Sequence, residues 1–507
     1  MKTVAATLFV VLAAAGCLQQ DENGPDYTAV KGFVDASAAP VLRVDHDDPA
    51  GHTNAHLHQG SANMALVGYS NAIDDSGDPD RIPPHATYTE IAVTQQYAYL
   101  VAQSSDGSYG GFSIIDHTDP SQPHVVSHFS AQGGADVEVN PEETLAFLST
   151  QRNSVQQLAG GLAAQGTPAA GVGRGIYVVD IADKGAPKLD SFVPLPYNGP
   201  HTITFFRHAN GNDYLLVCTY DLVADPVTGG IASAVPVTQR LIVYLIQSSP
   251  PSPVPGAPVP KVGLFPVAQF QIVQSPPAGK LYFPHDTSVQ VHPFQEGRTL
   301  IDLAYWDEGL RILDFSNPPP PSAAAPDALP MLAEVGAFTD FAPSAFNNIH
   351  FAKAFATPMQ VASPDGRLHT AQVTVAEPEI ISAPDETGQI TFIDTSDPSH
   401  PSAVGHWTLP PQNPPLGVSG LNFSPHNFDL WDGKVALGHY HAGVWVIDAS
   451  SPEHMKDPVE VGFYMTAKPR AASPTMQPDV WGVVQNQGLL YVSDEATGLY
   501  ILQYTGP

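Results

Sequence analysis

The sequence predicts an all-β fold, a seven-bladed β-propeller with ring closure by an N-terminal strand. Three observations lead there. A short apolar strand ending in Asp recurs along the chain, each copy sits among four strand-like segments, and the two chain ends carry complementary parts of one unit. Repeated four-stranded units are the pattern of propeller blades, small sheets that bury their faces only against one another.

The recurring strand lies at 112–116, 176–180, 310–314, 390–394 and 444–448, and it ends in Asp116, Asp180, Asp314, Asp394 and Asp448. Weaker copies at 241–246 and 499–502 complete the seven. Of the five copies that end in Asp, three run on into a Ser/Thr-Asp/Asn-Pro turn, where the Asp carboxylate accepts a backbone N–H two residues on and Pro fixes the next φ. Calcium, which takes about six to eight oxygens, would need more carboxylates than each copy supplies. A further strand follows at 124–129, 332–338, 404–407 and 459–464. The next blade then opens with an inner strand such as 90–93 or 426–430, and a second such as 98–101 or 434–437.

This pattern resembles the LVIVD-repeat family, most closely at 309–314 and 443–448, over about residues 64–505. The resemblance implies a propeller and an extracytoplasmic setting. The repeat is not compact, because Asp314 and Asp394 are 80 positions apart while Asp394 and Asp448 are 54 apart. Insertions at 155–174, 248–260 and 316–330, rich in Gly, Ala, Gln or Pro, are expected to be solvent loops.

Closure follows from what each end lacks. Residues 64–69 read as the last strand of a blade with nothing blade-like before them, and 481–484, 489–492 and 499–502 read as three strands with no fourth. Pairing the two ends leaves no sheet edge at the seam. The domain division is therefore 1–17, a leader; 18–63, a tether and polar segment rich in His and Asp; and 64–507, the propeller.

The leader begins Met1-Lys2 and continues through an apolar run at 4–15, too short to span a bilayer stably. It ends Ala14-Ala15-Gly16-Cys17, which resembles the lipobox of bacterial lipoproteins. That resemblance implies a lipidated Cys17 as the mature N-terminus, hence a membrane partner through the anchor. Leu18, in place of an inner-membrane retention Asp, implies the outer membrane, facing either periplasm or cell surface. The other cysteine, Cys218, lies in an apolar run and reads as a small buried residue. With a single thiol in the mature region, no intrachain disulfide is expected there.

The net charge of −30 excludes a phosphate-binding surface and so nucleic acid. No Gly-x-Ser-x-Gly elbow, His-Glu-x-x-His pair or phosphate-binding Gly loop is present. Chemistry, if any, is assembled from distant loops. Aligning the starts of the seven inner strands gives Glu90, Asp136, His201, His285, His350, His426 and Trp481. Four histidines from consecutive blades would then ring one mouth of the channel. Loops joining second and third strands should emerge at the same face, carrying Tyr305, Asp307 and Glu308, then Glu377, then His439 and His441, then Asp494 and Glu495.

Imidazole is the commonest metal ligand, and four with flanking carboxylates suit Fe, Zn or Cu. The layout is similar to the four-His iron of seven-bladed carotenoid-cleaving oxygenases. Equally, a His repeated for folding would appear in several blades, although a purely structural role would place it in all seven. A second, weaker metal cluster comprises His46, His52, His56 and His58 beside Asp45, Asp47 and Asp48. The sequence leaves two functions open: a lipid-anchored propeller that binds a protein or glycan, and a metal-dependent enzyme, such as an oxidoreductase, centred on the four histidines.

Overall fold

The computed structural model describes residues 61–506 except 73–86, 104–109, 132, 151–173, 196–198, 220–221, 225–230, 235–238, 249–260, 278–279, 325–327, 342–347, 364–365, 380–387, 411–422 and 467–477. Cys17, His46, His52, His56 and His58 lie outside the described residues, as do the insertions 155–173 and 249–260.

Seven antiparallel sheets follow one another at 87–131, 137–194, 200–270, 286–338, 349–408, 426–464 and 480–504. They are numbered here as blades one to seven. In each, the first strand is innermost and the others follow outward in chain order. Blade three adds the hairpin Leu222–Ala224/Ile231–Ala234, and blade five adds Met359–Ala362/Leu368–Ala371. The second and third strands are buried on both faces, as the continuous burial of Leu145–Thr150 shows, so their sequences read as apolar runs. The core is a series of layers between neighbouring blades. Tyr99, Phe112 and Ile114 of blade one, for example, pack with Ala146, Leu148 and Tyr177 of blade two.

The ring closes as the sequence predicts. Strand Met64–Ser70 pairs with Gly498–Tyr504 as the fourth strand of blade seven, from Met64 opposite Tyr504 to Ser70 opposite Leu499. Across the seam, Tyr491, Leu499 and Ile501 of blade seven pack with Leu100, Ala102 and Ile115 of blade one. Tyr491 Oη also lies 3.0 Å from His117 Nδ1. Residues 61–62, expected to belong to the polar segment, instead form a fifth strand on blade six, with Ser61 opposite Tyr464 and Ala62 opposite Phe463. The chain then crosses to blade seven at Asn63, whose φ is 51° and whose Nδ2 donates to Val461 O at 2.8 Å. One short segment thus clasps the last two blades together.

The recurring Asp is a turn device. Asp116, Asp314, Asp394 and Asp448 each accept from the backbone N–H two residues on, at 2.7, 2.9, 2.9 and 2.9 Å, and Asp180 does so at 3.2 Å. These turns also dock on the preceding blade. Every third–fourth strand pair carries a register shift, and in blades four, five and seven a glycine on the fourth strand receives the next turn there. A Cβ would lie 1.7 Å from Pro398 O at Gly336, 1.8 Å from Met455 O at Gly405, and 1.9 Å from Pro120 O at Gly68. In blade one Ser127 takes this position and donates through Oγ to Lys184 O.

The segment 316–330 departs from the solvent loop expected of it. Leu329 is buried, Gln269 Nε2 donates to Leu329 O at 3.1 Å, and Met331 bridges Gln269 in parallel. Ser322 N–H donates to Pro266 O and Gln269 N–H donates to Pro330 O, both at 2.9 Å, so at these points the described residues cover the outer edge of blade three, which would otherwise present unpaired backbone groups. Cys218 is a buried free thiol, as expected, and its burial pushes its pKa well up.

Candidate functional site

The four histidines stand where the inner strands begin, and a bulge sets most of their directions. Register shifts fall between Pro200 and Ile203, between Ile349 and Phe351, and between His426 and Phe428, with equivalents at Tyr88/Ile91 and Val480/Gly482. An extra residue in one strand turns its side chain out of the regular alternation. The rings consequently form an arc, with centroids 4.5 Å apart for His201–His285, 4.1 Å for His285–His350 and 4.1 Å for His350–His426. Trp481 extends it, 4.2 Å from His426. None of the four imidazoles is more than 5% exposed.

Three of them are oriented through Nδ1. His285 Nδ1 is 3.1 Å from His350 O, His426 Nδ1 is 2.8 Å from Trp481 O, and His350 Nδ1 is 2.9 Å from Glu377 Oε1. A carbonyl only accepts, so His285 and His426 carry their proton on Nδ1 and present a bare Nε2. His285 Nε2 lies 2.9 Å from His201 Nε2, while Nε2 of His350 and of His426 is buried without a hydrogen-bond partner. Burial penalises the imidazolium and holds His201 and His350 down at about 3, and His285 and His426 well below the usual value. All four are neutral at neutral pH, the form in which imidazole binds metals.

The carboxylates sort into two groups. Glu377 and Glu379, both completely buried, belong to the arc. Ligand atoms of His285, His350 and Glu379 lie within 4.8 Å of one another, and Tyr440 Oη donates to Glu379 Oε1 at 2.6 Å. Glu379 and Tyr440 were not singled out from sequence. The spacing of Glu377 and Glu379 across Pro378 held the signal, since alternate residues of an extended segment share a side. Other same-face residues are engaged in holding loops. Asp307 accepts from Leu281 N–H at 2.7 Å, Glu308 pairs with Arg311, and Asp494 accepts from Asp479 N–H at 2.8 Å and Thr497 Oγ1 at 2.6 Å. Tyr305 Oη accepts from Ile272 N–H at 3.0 Å, Glu495 is buried, and His441 approaches Asp479 at 4.0 Å. His439 is buried against Trp407, outside the arc.

Backbone strain also gathers here. Trp306 and Tyr440 take φ values of 36° each, in the left-handed region that bulky side chains rarely adopt. Each bridges the inner strand of the next blade, Trp306 to Ile349 and Tyr440 to Val480. Their rings sit 5.2 Å from His285 and 5.2 Å from His426 respectively. Strain of this kind persists where surrounding packing over-determines it, as it does at functional sites.

Beyond the arc the inner strands enclose a chamber of about 700 Å³, running from Asp286 and Asn427 to Val291 and Ala356. Glu90, Asp136, Glu138 and Asp286 line it. Glu90 accepts from Trp481 Nε1 at 2.8 Å and from Asn427 Nδ2, and Asp136 accepts from Ile203 N–H at 2.7 Å. Burial, and for Glu90 the neighbouring Asp136 charge, raise Glu90 to about 8; burial raises Asp136 to about 7. Glu90 and Asp136, aligned from sequence with the histidines, thus serve the chamber, and Glu90 joins it to the arc through Trp481.

These features define the class, a seven-bladed β-propeller with a histidine-lined channel mouth. Within it, the LVIVD repeat model matches residues 303–324 and 384–408, which contain strands Leu310–Asp314 and Gln389–Asp394, so two of the blades carry LVIVD repeats. No curated protein matches it in sequence. Solved structures with related folds include a functionally unknown protein from Desulfotomaculum acetoxidans, at 14% identity and TM-score 0.36 over 74% of this chain and 85% of that one. Another is a candidate 6-phosphogluconolactonase from Bacteroides fragilis, at 12% identity and TM-score 0.41 over 86% and 97%. A third is the periplasmic gluconolactonase of Pseudomonas aeruginosa, at 13% identity and TM-score 0.34 over 63% and 69%. Likenesses this distant carry no functional argument.

Proposed function

We propose that the protein is a metal-dependent propeller that holds one transition-metal ion on the imidazole arc, with His285, His350 and Glu379, whose ligand atoms lie within 4.8 Å of one another, as the core of the donor set and His201 and His426 flanking it. The observation carrying this reading is the common orientation of three rings, each tied at Nδ1, His285 and His426 to backbone carbonyls and His350 to Glu377, with Nε2 on the far side of the ring. Metal-binding histidines are oriented this way, the outer acceptor fixing tautomer and ring direction. The 2.9 Å between Nε2 of His201 and His285 supports it as well. Two cis ligands of an octahedral ion, each about 2.05 Å from the metal, are separated by about 2.9 Å. A nitrogen-rich set with a carboxylate suits Fe, Zn or Cu, and such an ion supplies Lewis acidity or redox chemistry. Glu377 orients His350, and Tyr440 orients Glu379.

Elemental analysis of tag-free protein tests this. About one equivalent of metal is expected, reduced in His285→Ala and in His426→Ala and absent from the double variant, with near-ultraviolet circular dichroism confirming that the variants fold. Protein without stoichiometric metal, or a double variant that retains it, would overturn the reading.

We further propose export and attachment to the outer membrane through lipid on Cys17, a reading supported by the lipobox-like segment. Radiolabelled fatty acid should enter the wild-type chain and not Cys17→Ala. Equal labelling of both refutes it.

A further inference from the structure

We propose that Glu90 is a positioning residue of the imidazole arc, one of its oxygens clamping the two bulge residues that aim His426 and steady the carboxyl that orients His350. Its consequence for metal binding rests on the metal reading of the arc; the clamp itself rests on geometry alone. Three bulges meet at this carboxyl. The inner strand of blade six shifts register between His426 and Phe428, which makes Asn427 its extra residue. That of blade seven shifts between Val480 and Gly482, which makes Trp481 the extra one. Glu90 itself lies in the shift of blade one, between Tyr88 and Ile91. A bulge residue is left unpaired in its ladder, so a contact elsewhere can set its direction.

One atom sets both. Glu90 Oε1 accepts from Trp481 Nε1 at 2.8 Å and from Asn427 Nδ2. Asn427 has a φ of 43°, in the left-handed region that Asn tolerates better than most residues, and its bond to Glu90 helps to hold it there. Gly482 leaves room for the clamp, since a Cβ at that position would stand 3.3 Å from Glu90 Oε2. Each clamped residue then meets the arc. Trp481 O accepts from His426 Nδ1–H at 2.8 Å, and the two rings stand 4.2 Å apart. Asn427 follows His426 directly in the chain. Burial raises the Glu377 pKa well above its ordinary value, the backbone N–H of Asn427 acts against that rise, and Glu377 Oε1 lies 2.9 Å from His350 Nδ1. Glu90 thus acts on two imidazoles through the groups that orient them. Asn427 and Trp481 both donate, so the clamp needs an acceptor oxygen at position 90 and not a charge. Gln supplies that oxygen and Ala does not.

Titration of the chelator-treated full chain with cobalt(II), followed by visible absorption, tests this together with nuclear magnetic resonance of metal-free protein labelled at histidine. Glu90→Ala should weaken cobalt binding by about 10- to 100-fold, the usual loss when an outer partner of a metal ligand is removed, and should move the absorption band. Glu90→Gln should keep the wild-type affinity and band. Glu138→Gln, which removes a carboxylate from the same chamber, should change neither. The His426 Nδ1–H signal should move in Glu90→Ala and stay in place in Glu90→Gln. Trp481→Phe, which keeps an aromatic ring and the backbone carbonyl but loses the donor, should shift band and signal in the same direction should Glu90→Ala fail to fold. A merely structural Glu90 would lower the denaturant midpoint of Glu90→Ala and leave band and signal alone. That result, no rescue by Gln, or an equal loss in Glu138→Gln would each overturn the proposal. A wild-type chain that takes up no cobalt, with a His426 signal that still moves in Glu90→Ala, would leave the clamp standing while the metal reading fell.

Discussion

Met64 carries the closure of the ring, and Met64→Ala measures its strength. The side chain is 1% exposed and packs in the largest core cluster, with Phe463, Tyr464 and Tyr500. Truncation to Ala deletes three heavy atoms and leaves a cavity, which costs about 2–4 kcal/mol for a buried Met. Unfolding entropy is about 2.1 cal/mol/K per residue, so a ring of roughly 440 residues that melts as one unit changes by about 0.9 kcal/mol/K. The melting temperature should therefore fall by only about 2–4 °C. The small shift does not make the strand unimportant, since a large cooperative unit dilutes any local loss. Chemical denaturation is the sharper assay, because its midpoint reports free energy at constant temperature. Two truncations bracket the substitution. A chain lacking residues 1–60 should keep the full midpoint and slope. A chain lacking 1–70 should lose more than Met64→Ala does, unfold less cooperatively, and aggregate through the open edge of Gly498–Tyr504. If the two truncated chains unfold at the same denaturant concentration with the same slope, ring closure by this strand is refuted.

Gly336→Ala and Gly405→Ala should each destabilise by about 1–3 kcal/mol, because the added Cβ lands on a carbonyl of the next blade; denaturant midpoints unchanged from wild type would show that the turns do not dock as described. Asp394→Ala should cost about 1 kcal/mol through loss of the bond from Ser396 N–H, and Asp394→Asn should recover most of it by keeping an acceptor oxygen. Stability should fall as pH rises from 6.5 to 8. Glu90, whose folded pKa is raised to about 8 against an ordinary 4.5, keeps its proton in the folded chain and releases it on unfolding across that window. Its share of the fall is at most about 2 kcal/mol, and Glu90→Gln should remove it; a variant with the same pH slope as wild type contradicts that assignment. The buried histidines act in the opposite sense, with stability lost below about pH 6.5, so they do not contaminate this range.

Much of the fold was legible because its signals are local. An apolar strand ending in Asp, with its own carboxylate acceptor for the following turn, names itself in five copies, and two weaker copies without the Asp bring the number of blades to seven. Closure was legible too, since Met64–Ser70 and the last three strands each lack what the other supplies. The inner-strand alignment placed His201, His285, His350 and His426 at one mouth, and that is where they stand. The details of contact were not legible. Which oxygen meets Gly336, and that Ser322 and Leu329–Pro330 pair with the edge of blade three, depend on how neighbouring segments pack.

By itself, then, the sequence determined the blade count, the seam and the identity of the four imidazoles, because periodicity and turn chemistry operate within a few residues. Only the tertiary structure decided what those imidazoles do to one another. Bulges at most of the strand entrances turned the rings into a close arc of mutually tilted imidazoles, and Glu379 and Tyr440 reached it from loops of other strands. Glu90 and Asp136, which alignment had set beside the histidines, went instead to a separate acidic chamber. The physical reason is that ring orientation, desolvation and charge repulsion are fixed by atoms far apart in the chain, and no spacing along it encodes them.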